Sequence, residues 1–259
     1  MTFKLGRKRP IARGPRLAFG NYLLADLPKP PLEMLYGAKA NLCLSQMFLN
    51  DQLGDCVEAA MFHCDGVLEA NAGRPIVFTD ADVEKVYEVT GYVPGDPATD
   101  QGSDEQTMLN WWQKNGLLPD GSHKIAGWAA LTGSNRGQVE TAIWLFENCL
   151  FGVELPDEWV NNMPSASGFM WDVAGPANPN NGHAFIGFGY GPSGVKISTW
   201  GMWGEITWAA VAKYASTALS GELYTVLSSD ALATASTKAP AGFDLTQLMA
   251  DIQAIGHGA

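Results

Sequence analysis

At Leu150 the chain changes texture, and that change limits its fold more than any other feature. Before it, apolar residues recur at helical spacing. Val57, Ala60, Met61, Cys64, Val67 and Leu68 form one such set, with Asp55 and Glu58 in the pattern of a capping box. Thr79 with Asp82 opens a second helix carrying Val83, Val86 and Tyr87. Ser103 with Gln106 opens a third, with Leu109 and Trp112, closed by Gly116; Asn135 with Gln138 opens a fourth, with Val139, Ala142, Ile143 and Phe146. After Leu150, the segments LFGVEL, HAFIGFGYG, VKISTWG, EITWAAV and ELYTVLS read as strands joined by Gly-rich turns, with a short helix near residues 208 to 216. The expectation is an α+β protein with a mainly helical part over residues 36–149 and a mainly β part over 150–230, together one domain over 36–230.

Two flanking segments fall outside it. Residues 1–35 read as an extended arm, basic at first (Lys4, Arg7, Lys8, Arg9, Arg13, Arg16) and then rich in proline at Pro28, Pro30 and Pro31. Such an arm lies across its own body, docks on a protein neighbour or a second copy, or stays loose. Residues 231–259 read as a linker and an amphipathic helix from Asp244 to Ile255, with Leu245, Leu248, Met249 and Ile252 on one face.

With 46% hydrophobic residues in 259, the chain can fill a core of ordinary size. A formal charge of -11 argues against a nucleic-acid partner, since neutralising phosphates needs clustered Lys and Arg. No apolar run follows the basic start and none approaches the roughly 20 residues of a membrane helix, so the expectation is a soluble protein without a signal peptide and without a membrane partner. Cys43, Cys56, Cys64 and Cys149 are too few for a disulfide framework and lack the paired spacing of a zinc site, which leaves free thiols, no metal and no cofactor. The acidic loop GDPATDQGSDE departs from the EF-hand pattern and reads as a solvated loop.

One cysteine has the setting of a nucleophile. In NDQLGDCVEAA, Cys56 stands at the start of a helix, where the helix dipole favours a thiolate; an imidazole nearby is the second common device. Of four histidines, His63 lies two turns along the same helix, His257 lies in the last three residues and His123 lies in a Gly-Ser loop. His183, at the start of a strand in NNGHAFIGFGYG, is the remaining candidate.

Gln52 and Gly54 before a helix-starting Cys56, then GHA leading an apolar strand to GYG, then a lysine-containing strand running into WGMWGE, resemble the papain-like cysteine peptidases from about residue 40 to 228. FTDADVEK and DQGSDEQTMLNWWQKNGL fit the same pattern. The arm and core together are also similar to papain-like proteins of phage and bacterial genomes. The resemblance implies a helical lobe, carrying the Cys56 helix, packed on an antiparallel β lobe. It also implies Cys56 as nucleophile, His183 as its base, Gln52 as an oxyanion donor and Trp200 as a shield over the imidazole. The family's orienting Asn falls on Ser198, whose hydroxyl can accept an imidazole N–H.

Three departures keep more than one function open. Serine replaces asparagine at 198, Gln52 is four residues before Cys56 where the family has about six, and Asp55 puts a carboxylate beside the thiol. The first expectation is therefore a thiol peptidase or isopeptidase acting on a peptide or protein substrate. The second is a catalytically degraded papain-like scaffold that assembles through residues 1–35, for instance as a phage virion component, and otherwise a cytoplasmic protein. The third is a peptidoglycan-cleaving amidase using the same chemistry.

Overall fold

Among the described residues the longest helix is buried on nearly every side, and the rest of the molecule is arranged around it. The computed structural model of the chain describes residues 3–11, 16–24, 29–239 and 242–256; Arg13, Pro28 and His257 lie outside the described residues. In chain order the helices are α1 (Asn41–Leu44), α2 (Cys56–Asn71), α3 (Asp80–Tyr87), α4 (Glu105–Asn115), α5 (Arg136–Phe146), α6 (Asp157–Asn161), α7 (Trp208–Tyr214), α8 (Ser229–Lys238) and α9 (Leu245–Gly256). The strands are β1 (Leu17–Ala18), β2 (Met34–Leu35), β3 (Gly127–Ala130), β4 (Cys149–Pro156), β5 (Phe169–Trp171), β6 (Ala177–Tyr190), β7 (Gly194–Thr199), β8 (Met202–Thr207) and β9 (Glu222–Leu227).

The long helix is α2, and its 16 residues include Val57, Met61, Phe62, Cys64 and Val67 with almost no exposure. At roughly 1.5–3 kcal/mol for each large apolar side chain removed from water, this face-independent burial outweighs its weak amphipathic pattern. Its neighbours include α1, α3, α4 and the sheet, in which the strand order is β1-β3-β9-β4-β6-β7-β8-β5, with β2 added beside β6. The central pairs β4–β6, β6–β7, β7–β8 and β4–β9 are antiparallel. The architecture is α+β, with helices preceding most of the sheet in sequence.

The caps separate good local signals from misleading ones. Thr79 and Asp82 form the full reciprocal box at α3, and Asn135 accepts the Gln138 N–H at α5. Gly116 closes α4 with a φ of 83°. Asp55, however, makes no side-chain cap at α2, because its carboxylate is turned to Asn50 instead. Ser103 does not open α4 either: Asp104 is the N-cap and accepts the Thr107 N–H, while the Ser103 hydroxyl donates to Glu58 at 2.6 Å. A third difference lies after residue 230, where the expected linker holds α8. The strand β3 also lies inside the part expected to be mainly helical.

Candidate active site

The Cys56 side chain is buried at the first residue of α2, against the backbone N–H groups of Ala184 in β6 and Gly6 in the N-terminal segment. Burial pushes its thiol up to about 12, and the carboxyl groups of Glu58 and Asp55 add to the rise; the two backbone N–H groups oppose it. Ala184 follows His183, so the nucleophile candidate and the base candidate stand on neighbouring elements, α2 and β6, with no hydrogen bond between the two side chains among the described residues.

His183 is fully buried, and desolvation lowers its pKa to about 3, so the resting imidazole is neutral. Its Nε2 lies 2.7 Å from the hydroxyl of Thr199, and its Nδ1 is buried with no hydrogen-bond partner among the described residues. Ser198, the residue expected to orient the imidazole, turns away and donates to the Leu44 carbonyl at 2.9 Å. The reason is the period of a strand: side chains alternate, Ser198 stands opposite Ile186, and Thr199 therefore falls on the face shared by Phe185 and His183.

Trp200 packs over the imidazole, ring centroids 4.3 Å apart and planes 16° from parallel. A tight turn places it there. Thr199 pairs with Met202, leaving Trp200 and Gly201 as the two loop residues, both with positive φ (51° and 68°). That is the left-handed pair of a hairpin turn whose twist suits the flanking strands. Tryptophan tolerates it poorly, at a cost of order 1–3 kcal/mol that the ring packing offsets. The loop before Cys56 holds the same kind of strain at Phe48 and Leu49, with φ of 53° and 63°.

Gln52, the expected oxyanion donor, is exposed, and its side chain makes no hydrogen bond within the described residues. Asn50, six residues before Cys56, is buried and gives its side-chain N–H to Asp55 at 3.1 Å. Asp55 is itself buried, and burial together with Glu58 raises its pKa well above the usual carboxylate value, against the Asn50 hydrogen bond that lowers it. Glu58, buried one turn on, is raised to about 7 by burial, against the Ser103 hydroxyl that favours its charge.

The groove over Cys56 is filled by the chain's own residues 3–9. Lys4 N–H donates to the Asn50 carbonyl (3.1 Å), Ser103 N–H to Gly6 (2.8 Å), Lys8 N–H to Ser103 (2.7 Å) and Arg7 N–H to Gly182 (3.1 Å). Arg7 thus bridges Ser103 in parallel sense on the helical side and meets β6 on the other. Close approach depends on glycine on both sides. A Cβ at Gly6 would lie 1.8 Å from the Gly54 oxygen, one at Gly102 1.8 Å from the Gly6 oxygen, and one at Gly182 2.0 Å from the Arg7 oxygen. Phe3 stacks on the outer face of Trp200 at 4.7 Å, and Arg9 reaches Glu154 at 2.6 Å. Neither Thr199 nor this segment was expected in the site from sequence; the glycines at 6, 102 and 182 were its available signal.

Away from the groove, Asp65, Glu69 and His123 bring ligand-type atoms within 4.8 Å of one another. His123 bonds Asp65 at 2.6 Å and Glu69 holds Arg74, so the group reads as a partly buried network of paired charges. The four cysteines are all free and buried. No helix among the described residues is long and apolar enough to cross a membrane.

No family model matches the chain, and no curated protein sequence matches it. Solved structures do. Xylellain, a cysteine protease from Xylella fastidiosa, superposes with a TM-score of 0.63 at 11% identity, covering 88% of this chain and 97% of that one. A recombinant stem bromelain precursor gives 0.56 at 11% identity, over 88% and 78%. The ragweed pollen allergen Amb a 11, a cysteine protease in its proform, gives 0.55 at 11% identity, over 79% and 67%. The fold is papain-like.

Proposed function

We propose that the protein is a cysteine peptidase of papain-like type, held latent by its own residues 3–9. One observation carries this reading: the thiol at the start of α2 lies against the residue that follows a histidine whose Nε2 is fixed by a hydroxyl and whose Nδ1 is left without a partner. A base so oriented needs only its free nitrogen turned to a thiol. In the reaction, Cys56 would give its proton to His183 and attack the substrate carbonyl carbon. The C–N bond would then break, with His183 returning the proton to the leaving amine. Water would cleave the thioester by the same base. The backbone N–H of Cys56, at the start of α2, would serve the developing oxyanion, such a donor contributing on the order of 2.7–4 kcal/mol.

The neutral thiol and neutral imidazole follow from burial under the segment, which withholds the solvent that would support a thiolate–imidazolium pair. The test uses the full chain with Gly6→Ala, whose added methyl cannot occupy the space beside Gly54. It should hydrolyse peptides and take up a thiol-directed acylating probe, and Cys56→Ala in that background should do neither. Purified murein as a parallel substrate separates peptidoglycan cleavage from proteolysis. If the Gly6→Ala protein neither turns over nor labels, the peptidase reading fails.

A second reading, a scaffold with a degraded site, is favoured by the exposed Gln52 and by Asn50 being engaged with Asp55. Light scattering on the full chain addresses it: a defined assembly supports a scaffold, and a monomer at all concentrations counts against one.

A further inference from the structure

The side chain that residues 3–9 place deepest is Arg7, with no exposure of its guanidinium. Its Nη2 donates to Glu222 at 2.6 Å and to the Ser220 carbonyl at 2.7 Å, and its Nε stands 3.9 Å from Glu105. Both carboxylates are almost fully buried. Glu222 is held in turn by Gln106 (2.9 Å) and by the Tyr224 hydroxyl. Burial, and the Glu222 charge after it, raises the Glu105 pKa well above its usual range, with Arg7 pulling the other way. The floor is Gly152 in β4, where a Cβ would lie 2.1 Å from a Glu105 oxygen and 2.5 Å from the Arg7 Nε. Among the described residues, Arg7 Nε and Nη1 and one Glu105 oxygen have no hydrogen-bond partner, so part of the socket's hydrogen-bonding capacity is unused.

We propose that this socket is the principal specificity pocket of the groove and selects an arginine side chain in a peptide substrate. The inference rests on the peptidase reading for its context. Its warrant is position: the backbone N–H of the residue filling the socket bonds Gly182, which immediately precedes His183, and the preceding residue, Gly6, lies against the Cys56 thiol. Whatever side chain enters is therefore fixed next to the reacting atoms. The walls belong to α4, β4 and β9, not to the N-terminal segment, so they remain when the segment leaves. Emptied, the socket would hold two facing carboxylates in a poor solvent, and a cation entering it relieves their repulsion. A guanidinium meets carboxylate and carbonyl oxygens through several planar donors at once, which an ammonium cannot do. Glu222 and Gln106 also border a cavity of about 340 Å³ that reaches Pro10 and Arg16, giving small molecules an approach to the socket wall.

The experiment measures binding of fluorescent blocked tripeptides, Gly-Arg-Lys, Gly-citrulline-Lys and Gly-Leu-Lys, to the full chain carrying Gly6→Ala and Cys56→Ala. The Arg peptide should bind about tenfold or more tighter than the other two, and adding Glu222→Gln should remove most of that preference, because an arginine then loses its charged partner. In a second arm, propylguanidinium at millimolar concentration should raise the unfolding temperature of full-length Arg7→Ala, and propylammonium should raise it less. Equal binding of Arg and Leu peptides, no peptide binding, or no stabilisation by propylguanidinium would each overturn the proposal. Binding is read without the thiol, so absence of turnover in Gly6→Ala alone sinks the peptidase reading while leaving the selectivity of the socket measurable.

Discussion

The indole of Trp200 covers His183 at 4.3 Å between ring centroids, nearly face to face. Phe3 covers the opposite face of the same indole at 4.7 Å. The base candidate, its shield and the N-terminal segment are thus one stack, and disturbing one layer should register in the next. In Trp200→Ala the imidazole gains water, and its pKa should climb from about 3 toward the ordinary 6.5. An NMR titration of the His183 ring reads this directly; an unmoved value would mean that other walls exclude the water.

Thr199→Val should leave the second nitrogen of His183 without a partner as well. We expect a stability loss of about 1–3 kcal/mol by urea unfolding. In the Gly6→Ala background it should lower kcat with little change in KM, and Thr199→Ser should recover most of both. Ser198→Ala, which frees the Leu44 carbonyl instead, should cost stability without that loss of kcat.

The cysteines provide a built-in gauge of the groove. All four are buried, yet among them Cys56 is the one lying against residue 6. In Gly6→Ala, native-state alkylation at Cys56 should rise about tenfold or more, following the population of the open form, while Cys43, Cys64 and Cys149 stay at the wild-type rate. Peptide mass mapping after timed iodoacetamide exposure checks it; a parallel rise at all four would indicate general loosening.

Glu58 should make the protein lose stability as pH rises. Its folded pKa, about 7, is raised above the ordinary 4.5. The stabilisation is therefore complete below pH 4.5 and disappears as pH climbs through 7, a change on the order of 3 kcal/mol. Glu58→Gln, able to keep accepting from Ser103, should flatten this part of the profile. Denaturant unfolding at pH 5 and pH 8 tests it, and an unchanged difference between the two would assign the slope to another group.

The helical and β texture, the start of α2 at Cys56 and the strand carrying His183 were legible because each depends on local signals: periodicity, a turn, a helix start. The partner of the imidazole was not. Residues 182–190 and nearly all of β7 are buried, so the polar-apolar alternation that would tell the two faces of these strands apart is absent, and Ser198 and Thr199 look equally suitable. Asp55 misled for a related reason. Its spacing to Glu58 fits a cap, but Asn50, five residues back, competes for the carboxylate, and only the folded loop decides between them. The filling of the groove was equally hidden. The basic arm could lie across its own body, dock on a neighbour or stay loose, and only the closed chain brings Arg7 to Glu105 and Glu222.

That closure has a consequence for how the molecule is made. Arg7 and Glu222 are separated by 215 residues, and the Ser220 carbonyl by 213. Synthesis makes Arg7 well before Ser220 and Glu222, so its guanidinium lacks these two acceptors while most helices and central strands form. Contacts of such long range are the slow ones, since loop closure is met before any bond rewards it. The backbone of the segment can therefore dock on Asn50, Ser103 and Gly182 before its arginine side chain is locked, a step that waits for β9.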